Sequence, residues 1–116
     1  MGFYFIKADD TVVIKNMIDY CQSIENILIE LDYNYDDFVS NEIFQLAASM
    51  CIIQIGEYVT RLSDEFKDKN NQIPWNIIKG MRNVATHQYE HIDFEIMWNT
   101  LTESVPELKE NLLLLL

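Results

Sequence analysis

Three side chains with complementary chemistry lie within the short segment Arg82-Asn83-Val84-Ala85-Thr86-His87-Gln88-Tyr89. An arginine guanidinium can hold a phosphate through a bidentate pair of hydrogen bonds and stabilise the negative charge that develops on it. A histidine imidazole titrates near neutral pH and can accept the proton of a hydroxyl group. The pair therefore suffices for RNA cleavage without a metal: His87 would deprotonate a ribose 2′-OH, and Arg82 would hold the phosphate that the 2′-oxygen attacks.

The spacing of this pair constrains the site. Arg82 and His87 are five residues apart, which is about 140° around an ideal helix. Either the helix ends near Thr86, or a second copy of the chain completes the site. Asn83 lies four residues before His87, so its amide could fix the imidazole tautomer on a continuous helix.

The same segment offers a metal-binding alternative. His87-Gln88-Tyr89-Glu90-His91 fits the H-x-x-E-H pattern of inverted zinc proteases. A catalytic zinc needs a third protein ligand, and these are the two histidines of the chain, although an acidic residue could serve. Because 116 residues leave little room for a substrate cleft, we expect no resident metal, and the pattern stays open as an alternative.

The charge is distributed unevenly. The formal net charge of −11 excludes a protein that coats nucleic acid non-specifically, and three glycines exclude a glycine-rich phosphate loop. Residues 1–60 sum to −8, residues 61–82 to +2 and residues 83–116 to −5. We therefore expect RNA to bind where the basic segment meets the motif, with Lys79 and Arg82 as contacts. The acidic remainder is a candidate surface for docking a basic partner.

The apolar periodicity predicts helices and no strands. Asp9, Asp10 and Thr11 provide capping and first-turn chemistry for a first helix. Ser40 or Asn41 would cap a second. The predicted core faces are Val13, Met17, Tyr20, Ile24, Ile27 and Leu31 in the first helix, and Phe44, Ala47, Cys51, Ile55, Tyr58 and Leu62 in the second.

Two further helices follow. Pro74 suits the first turn of a third helix that runs toward Thr86. Asp93 would cap a fourth, which Pro106 breaks or kinks to leave a short last helix. Its predicted face is Phe94, Trp98, Leu101, Val105, Leu108 and Leu112. Residues 32–37 and 67–72 are predicted connections. The chain is thus expected to be a single all-α domain, residues 1–116, folded as an up-and-down bundle of four to five helices.

The remaining features predict ordinary structural roles. Cys21 and Cys51 are expected to be buried free thiols in a reducing cytoplasm. No apolar stretch reaches the length of a membrane span, and the run Leu112 to Leu116 suits the last turns of a helix packed on the core or on a partner. The aromatic residues assigned to the core are Tyr20, Phe44, Phe94 and Trp98.

The motif and its flanks resemble the HEPN-domain ribonuclease toxins of the HepT type, whose partner is a minimal nucleotidyltransferase antitoxin. The hallmark R-x-x-x-x-H-x-Y is matched by Arg82, His87 and Tyr89, and Asn83 also fits because the family often has Arg-Asn. The matching flanks are Ile55-Gly56-Glu57 before Leu62-Ser63, Ile73-Pro74-Trp75 before Gly80-Met81, and Asp93 with Trp98, Leu101 and Pro106. The resemblance covers the chain from about Ala47 onward.

The resemblance implies a HEPN-like homodimer in which both motifs line one cleft between the protomers. Arg82 and His87 would be the ribonuclease pair of a toxin from a type VII-like toxin–antitoxin pair, with Asn83 in support and no cofactor. The nucleotidyltransferase would silence it by attaching AMP to Tyr89, since the adenylyl group adds bulk and charge beside the pair. The net charge of −11 is low for an enzyme that must hold RNA. It leaves open a substrate restricted to certain transfer or messenger RNAs.

A second hypothesis belongs to a different class. The chain would be a non-catalytic helical module that binds a nucleotidyltransferase, and a nucleotide, at the same cleft. The two hypotheses differ in whether Arg82 and His87 are needed for RNA cleavage.

Overall fold

The computed structural model describes residues 6–86 and 93–116, and in these ranges the chain forms helices and no strand. The helices are α1 (Ala8–Glu30), α2 (Tyr35–Val39), α3 (Glu42–Val59), α4 (Asp64–Lys69), α5 (Trp75–Thr86), α6 (Phe94–Asn99) and α7 (Val105–Leu113). A π-helical segment, Thr100–Ser104, joins α6 to α7 without a break. The predicted all-α fold is confirmed, with six helical rods if α6 to α7 is counted as one.

Helix α3 lies between two neighbours, because α1 packs on one of its sides and α5 on the other. The α6–α7 rod packs against α1 and completes the bundle. The core that they share includes Met17, Ile52, Ile55, Leu101 and Leu112, all nearly inaccessible to solvent. None of the helices in the described ranges is long and apolar enough to cross a membrane.

The predicted core faces hold for α1 and the last rod, and less well for α3. Tyr20 and Ile27 in α1, and Phe94 and Trp98 in α6, pack on the core while staying partly exposed. In α3 Cys51 and Ile55 are buried as predicted, but Ala47 is exposed, and Phe44 and Tyr58 are partly buried. The buried residues are instead Gln45, Ala48, Ser49, Cys51, Ile52, Ile55, Gly56 and Val59. The face was misjudged because α3 is apolar nearly all round and contacts helices on two sides.

Asp9 and Asp10 lie in the first turn of α1, as predicted, but the N-cap is Lys7 and no side chain caps it. Asp10 has a further role. Its side chain is buried, and its two carboxylate oxygens accept hydrogen bonds from the backbone N–H of Ser63 at 2.8 Å and from the Ser63 hydroxyl at 2.7 Å. That hydroxyl in turn accepts a hydrogen bond from the backbone N–H of Phe66. Asp10 therefore ties the start of α1 to the start of α4.

Both predicted connections contain a short helix. Residues 35–37 belong to α2, whose N-cap Asn34 accepts a hydrogen bond from the backbone N–H of Asp37. Residues 67–69 belong to α4, which buries Phe66. Each of these helices buries one aromatic side chain. Both are too short to show an apolar period, so the sequence pattern did not reveal them.

The predicted starts of the later helices are confirmed, whereas a break at Pro106 is not. Asn41 caps α3 and Asp93 caps α6, each through a side-chain oxygen that accepts a backbone N–H three residues on. Helix α5 begins directly after Pro74. Pro106 lies in the first turn of α7, a short last helix as predicted, but the π-helical segment leads directly into α7, so the helical rod is not broken there. The leucines of the run 112–116 differ in burial, since Leu112 is buried in the core and Leu114 is exposed.

Candidate functional site

Helix α5 carries the Arg-Asn part of the motif. Trp75, Ile78 and Ala85 are buried and fix this helix on the core. The indole N–H of Trp75 also donates a hydrogen bond to the backbone carbonyl of Asn70, 3.1 Å away. The described part of α5 ends at Thr86, so His87, Tyr89 and His91 lie outside the described residues. The geometry that joins Arg82 to His87 therefore stays a prediction.

A glycine brings α5 against α3 at the level of Arg82. Gly56 is buried in α3, and a Cβ atom added to it would lie 3.1 Å from the carbonyl oxygen of Lys79 and 3.2 Å from the Cβ of Arg82. Both distances are shorter than ordinary van der Waals contact. The absence of a side chain at Gly56 thus allows the close approach of the two helices beside Arg82.

The next residue of α3 holds the arginine. Nη1 of Arg82 donates to Oε1 of Glu57 at 2.5 Å, and the two side chains are 37% and 44% exposed. An ion pair this exposed contributes at most about 1 kcal/mol to folding. Its main physical effect is therefore on geometry, because a carboxylate contact restricts the orientation of a planar guanidinium.

Glu57 is the residue of this site that reasoning from side-chain chemistry did not single out. It belongs to the Ile55-Gly56-Glu57 flank that resembles the HepT-type ribonucleases. The sequence does carry one indication of its position. A glycine inside a long apolar helix, such as Gly56, implies that another element packs closely there, and the carboxylate of Glu57 then lies next to that element.

The other predicted site residues of α5 lie on its solvent side. Lys79 and Asn83 are both exposed, so neither is part of the core. Two other bases of the segment 61–82 have neighbouring partners: Lys67 pairs with Asp64 at 3.7 Å, and the guanidinium of Arg61 lies 4.8 Å from the centre of the Tyr58 ring. Arg61, Lys69 and Lys79 are all exposed, and Lys79 is the one that lies on α5 beside Arg82.

The thiols take no part in this site. Burial raises the pKa of Cys21 to about 12 and also raises the pKa of Cys51, so both stay protonated at neutral pH. Both are free and buried, as predicted.

Residues 6–86 and 93–116 place no three His, Cys, Asp or Glu side chains where they could hold a metal ion. Because His87 and His91 fall outside those ranges, this finding does not test the zinc alternative.

The close approach at Gly56 generates a prediction about stability. We expect Gly56→Ala to lower the free energy of unfolding by about 1–2 kcal/mol, since the new methyl group pushes on a backbone carbonyl and overpacking outweighs the gain in helix propensity. The matched control is Gly80→Ala, because no atom of the described residues lies within 4 Å of a Cβ added there. This control should raise the same free energy by about 0.5–1 kcal/mol. Urea unfolding of both variants measures the difference, and a Gly56→Ala variant as stable as the wild type would contradict it.

Over most of its length the chain matches a ribonuclease family and is similar to proteins named as putative or probable ribonucleases. Residues 17–114 match the family described as HepT-like, "Ribonuclease HepT-like". A protein of Thermococcus cleftensis named "Probable ribonuclease HepT" is 31% identical over 104 residues, which cover 90% of this chain and 93% of that protein.

Two relatives named "Putative RNase" are similar to this chain to a comparable degree. One, from Caldanaerobacter subterraneus subsp. tengcongensis, is 32% identical over 95 residues, or 75% of this chain and 85% of its own length. The other, from Methanocaldococcus jannaschii, is 29% identical over 104 residues, or 90% and 88%. No solved structure matches the chain. With a family match that spans most of the helical bundle, the chain belongs to the HepT-like ribonuclease family.

Proposed function

We propose that this protein is a metal-independent endoribonuclease that acts as the toxin of a toxin–antitoxin pair, with Arg82 and His87 as its catalytic residues. The observation that carries the proposal is the Arg82 guanidinium, which Glu57 holds at the surface of α5 in a member of a ribonuclease family. An oriented guanidinium is the group needed where negative charge develops on a phosphate.

The proposed reaction is an internal transfer at phosphorus. The imidazole of His87 takes the proton from a ribose 2′-OH, and the 2′-oxygen forms a bond to the adjacent phosphorus. The bond from phosphorus to the 5′-oxygen of the next nucleotide breaks, and this oxygen takes up a proton from solvent. The products are a 2′,3′-cyclic phosphate and a free 5′-OH. Arg82 stabilises the charge on the phosphoryl oxygens, and Asn83 supports the imidazole.

We expect Arg82→Ala and His87→Ala each to reduce RNA cleavage at least 100-fold, because each removes a group that acts in the transition state. Cleavage by the wild type should continue in EDTA and yield 2′,3′-cyclic phosphate ends, as seen by mass spectrometry of the fragments. Arg61→Ala is the control, since Arg61 packs on Tyr58. Activity lost on chelation would favour the zinc alternative. Undiminished cleavage by both variants would refute the assignment of Arg82 and His87, and a wild type that cleaves no RNA would favour the non-catalytic module.

The surface of α3 supports the proposed homodimer. Ile43, Leu46 and Met50 recur along one side of this helix and are 76%, 39% and 55% exposed; we call them the α3 stripe. At 100° per residue, Glu57 falls on the same side of α3 as the stripe. No charged residue occurs between Ile43 and Gly56, although the chain has a formal charge of −11. Two copies that meet along the stripe would avoid most of their mutual repulsion and bring both Glu57–Arg82 pairs to one interface.

Placing a charge in the α3 stripe should therefore dissociate the dimer. We expect Met50→Asp to be a monomer in sedimentation equilibrium at concentrations where the wild type is a dimer, because the carboxylate would be buried without a partner. Leu114→Asp is the matched control, since Leu114 is an exposed leucine outside the stripe. A Met50→Asp variant that sediments as a dimer like the wild type would contradict an interface at the α3 stripe.

We further propose that a partner nucleotidyltransferase silences the enzyme by transferring AMP from ATP to the Tyr89 hydroxyl, with release of pyrophosphate. The added phosphate would compete with RNA for Arg82. The acidic surface of the chain would dock the partner, and the free thiols Cys21 and Cys51 suit a cytoplasmic location. The substrate would be a restricted set of transfer or messenger RNAs.

Intact mass spectrometry tests the modification. After incubation with the partner and ATP, the wild type should gain the mass of at least one adenylyl group, and Tyr89→Phe should gain none. Tyr33→Phe is the control, because Tyr33 is an exposed tyrosine elsewhere on the chain and its loss should not matter. An equal gain by Tyr89→Phe would refute the assignment.

A further inference from the structure

The second glycine of the site region is not explained by packing among the described residues. Gly80 is exposed in the middle of α5, and a Cβ added to it would meet no atom of residues 6–86 or 93–116 within 4 Å. Its backbone is not in the left-handed region that favours glycine. A glycine at such a position weakens the helix without relieving any crowding within the described residues. The described part of the chain therefore gives no reason for the missing side chain, whereas a molecule bound against this face of α5 would give one.

The residues around Gly80 point to the kind of molecule. At 100° per residue, Asn76, Lys79 and Asn83 lie on the same side of α5 as Gly80, each three or four positions from its neighbours. All four are exposed. We call them the Gly80 patch. Its side chains are two amides and an ammonium, which can all donate hydrogen bonds to phosphate oxygens.

The charge of the surrounding sequence favours a polyanion. From Lys69 to Tyr89 the chain contains three bases and no acidic residue, in a protein with 19 acids and 8 bases. Lys79 and Arg82 are three residues apart, so they lie on adjacent sides of α5. The Gly80 patch thus borders the guanidinium that Glu57 holds.

We propose that the sugar–phosphate backbone of the RNA substrate crosses α5 at Gly80 and contacts Asn76, Lys79 and Asn83 on its way to Arg82. This inference rests on the proposed ribonuclease function and identifies where the substrate lies. The missing side chain lets the RNA backbone approach the helix closely, and the neighbouring donors hold phosphates on either side. Ile77, which is 71% exposed at the edge of the patch, offers an apolar surface to a base.

A second copy of the chain fits this surface less well than RNA does. A symmetric contact centred on Gly80 would bring Lys79 close to the same cation of the other protomer. The α3 stripe offers a larger uncharged apolar surface for that purpose. The observations therefore favour RNA at the Gly80 patch, and self-association there becomes an outcome of the test.

The test measures binding separately from cleavage and stability. The probe is a single-stranded oligoribonucleotide with every 2′-OH methylated, which cannot be cleaved by attack of a 2′-oxygen. We expect Gly80→Ala to raise the Tm by about 2–6 °C and yet to bind the probe about threefold more weakly. Gly80→Leu should bind it at least tenfold more weakly, with a similar loss in kcat/KM for cleavable RNA.

Lys79→Gln provides an independent reading. Loss of one phosphate contact to a single strand should reduce the slope of log K against log salt concentration by about 0.7. Lys15→Gln, which removes an exposed lysine from α1, is the matched control and should leave the slope unchanged.

Wild-type affinity in Gly80→Leu would overturn the inference and leave the ribonuclease proposal intact. A changed molar mass of Gly80→Leu by light scattering would overturn it in favour of a second copy at this face. By contrast, a wild-type protein that neither binds the probe nor cleaves RNA would refute the proposed function itself.

Discussion

The close approach of α3 and α5 at Gly56 is the constraint on which the site depends. It brings the carbonyl of Lys79 and the Cβ of Arg82 to distances that no larger residue could accept without a shift. One position further along α3, Glu57 meets the Arg82 guanidinium. A packing contact between two helices therefore fixes the position of a charged group that would otherwise move freely on a surface helix. The exposed ion pair adds little to stability and much to orientation.

The acidity of the chain confines the places where other molecules can bind. Most of the surface repels polyanions, whereas α5 contains Lys79 and Arg82 and no acid. The α3 stripe is uncharged, which suits a contact between two acidic copies. We therefore propose different roles for the two helices. The polar, acid-free face of α5 would bind RNA, and the apolar face of α3 would pair the protomers. In both, electrostatics limits where contact can occur more than it adds affinity.

The apolar periodicity of the sequence predicted the long helices. It did not predict the features that depend on contacts between helices. The periodicity of Met17, Ile24, Leu101 and Leu112 identified core faces, because each lies in an extended amphipathic stretch. Helices α2 and α4 each bury one aromatic side chain and show no period. The hydrogen bonds between Asp10 and Ser63 join residues far apart in sequence, so local rules placed Asp10 in the first turn of α1 but did not reveal its partner. Motif chemistry indicated Arg82, while Glu57 became visible as its partner only when α3 and α5 were placed together.

The central claim is that α3 positions Arg82 for RNA cleavage through Glu57. A double-mutant cycle on the cleavage rate tests it most directly, with Glu57→Gln measured in the wild type and in Arg82→Ala. We expect Glu57→Gln to reduce kcat about tenfold in the wild type, while the Tm changes little. In Arg82→Ala the same substitution should have no further effect, since the group it positions is gone. Equal reductions in both backgrounds, or an unchanged or faster rate in the wild type, would contradict the claim.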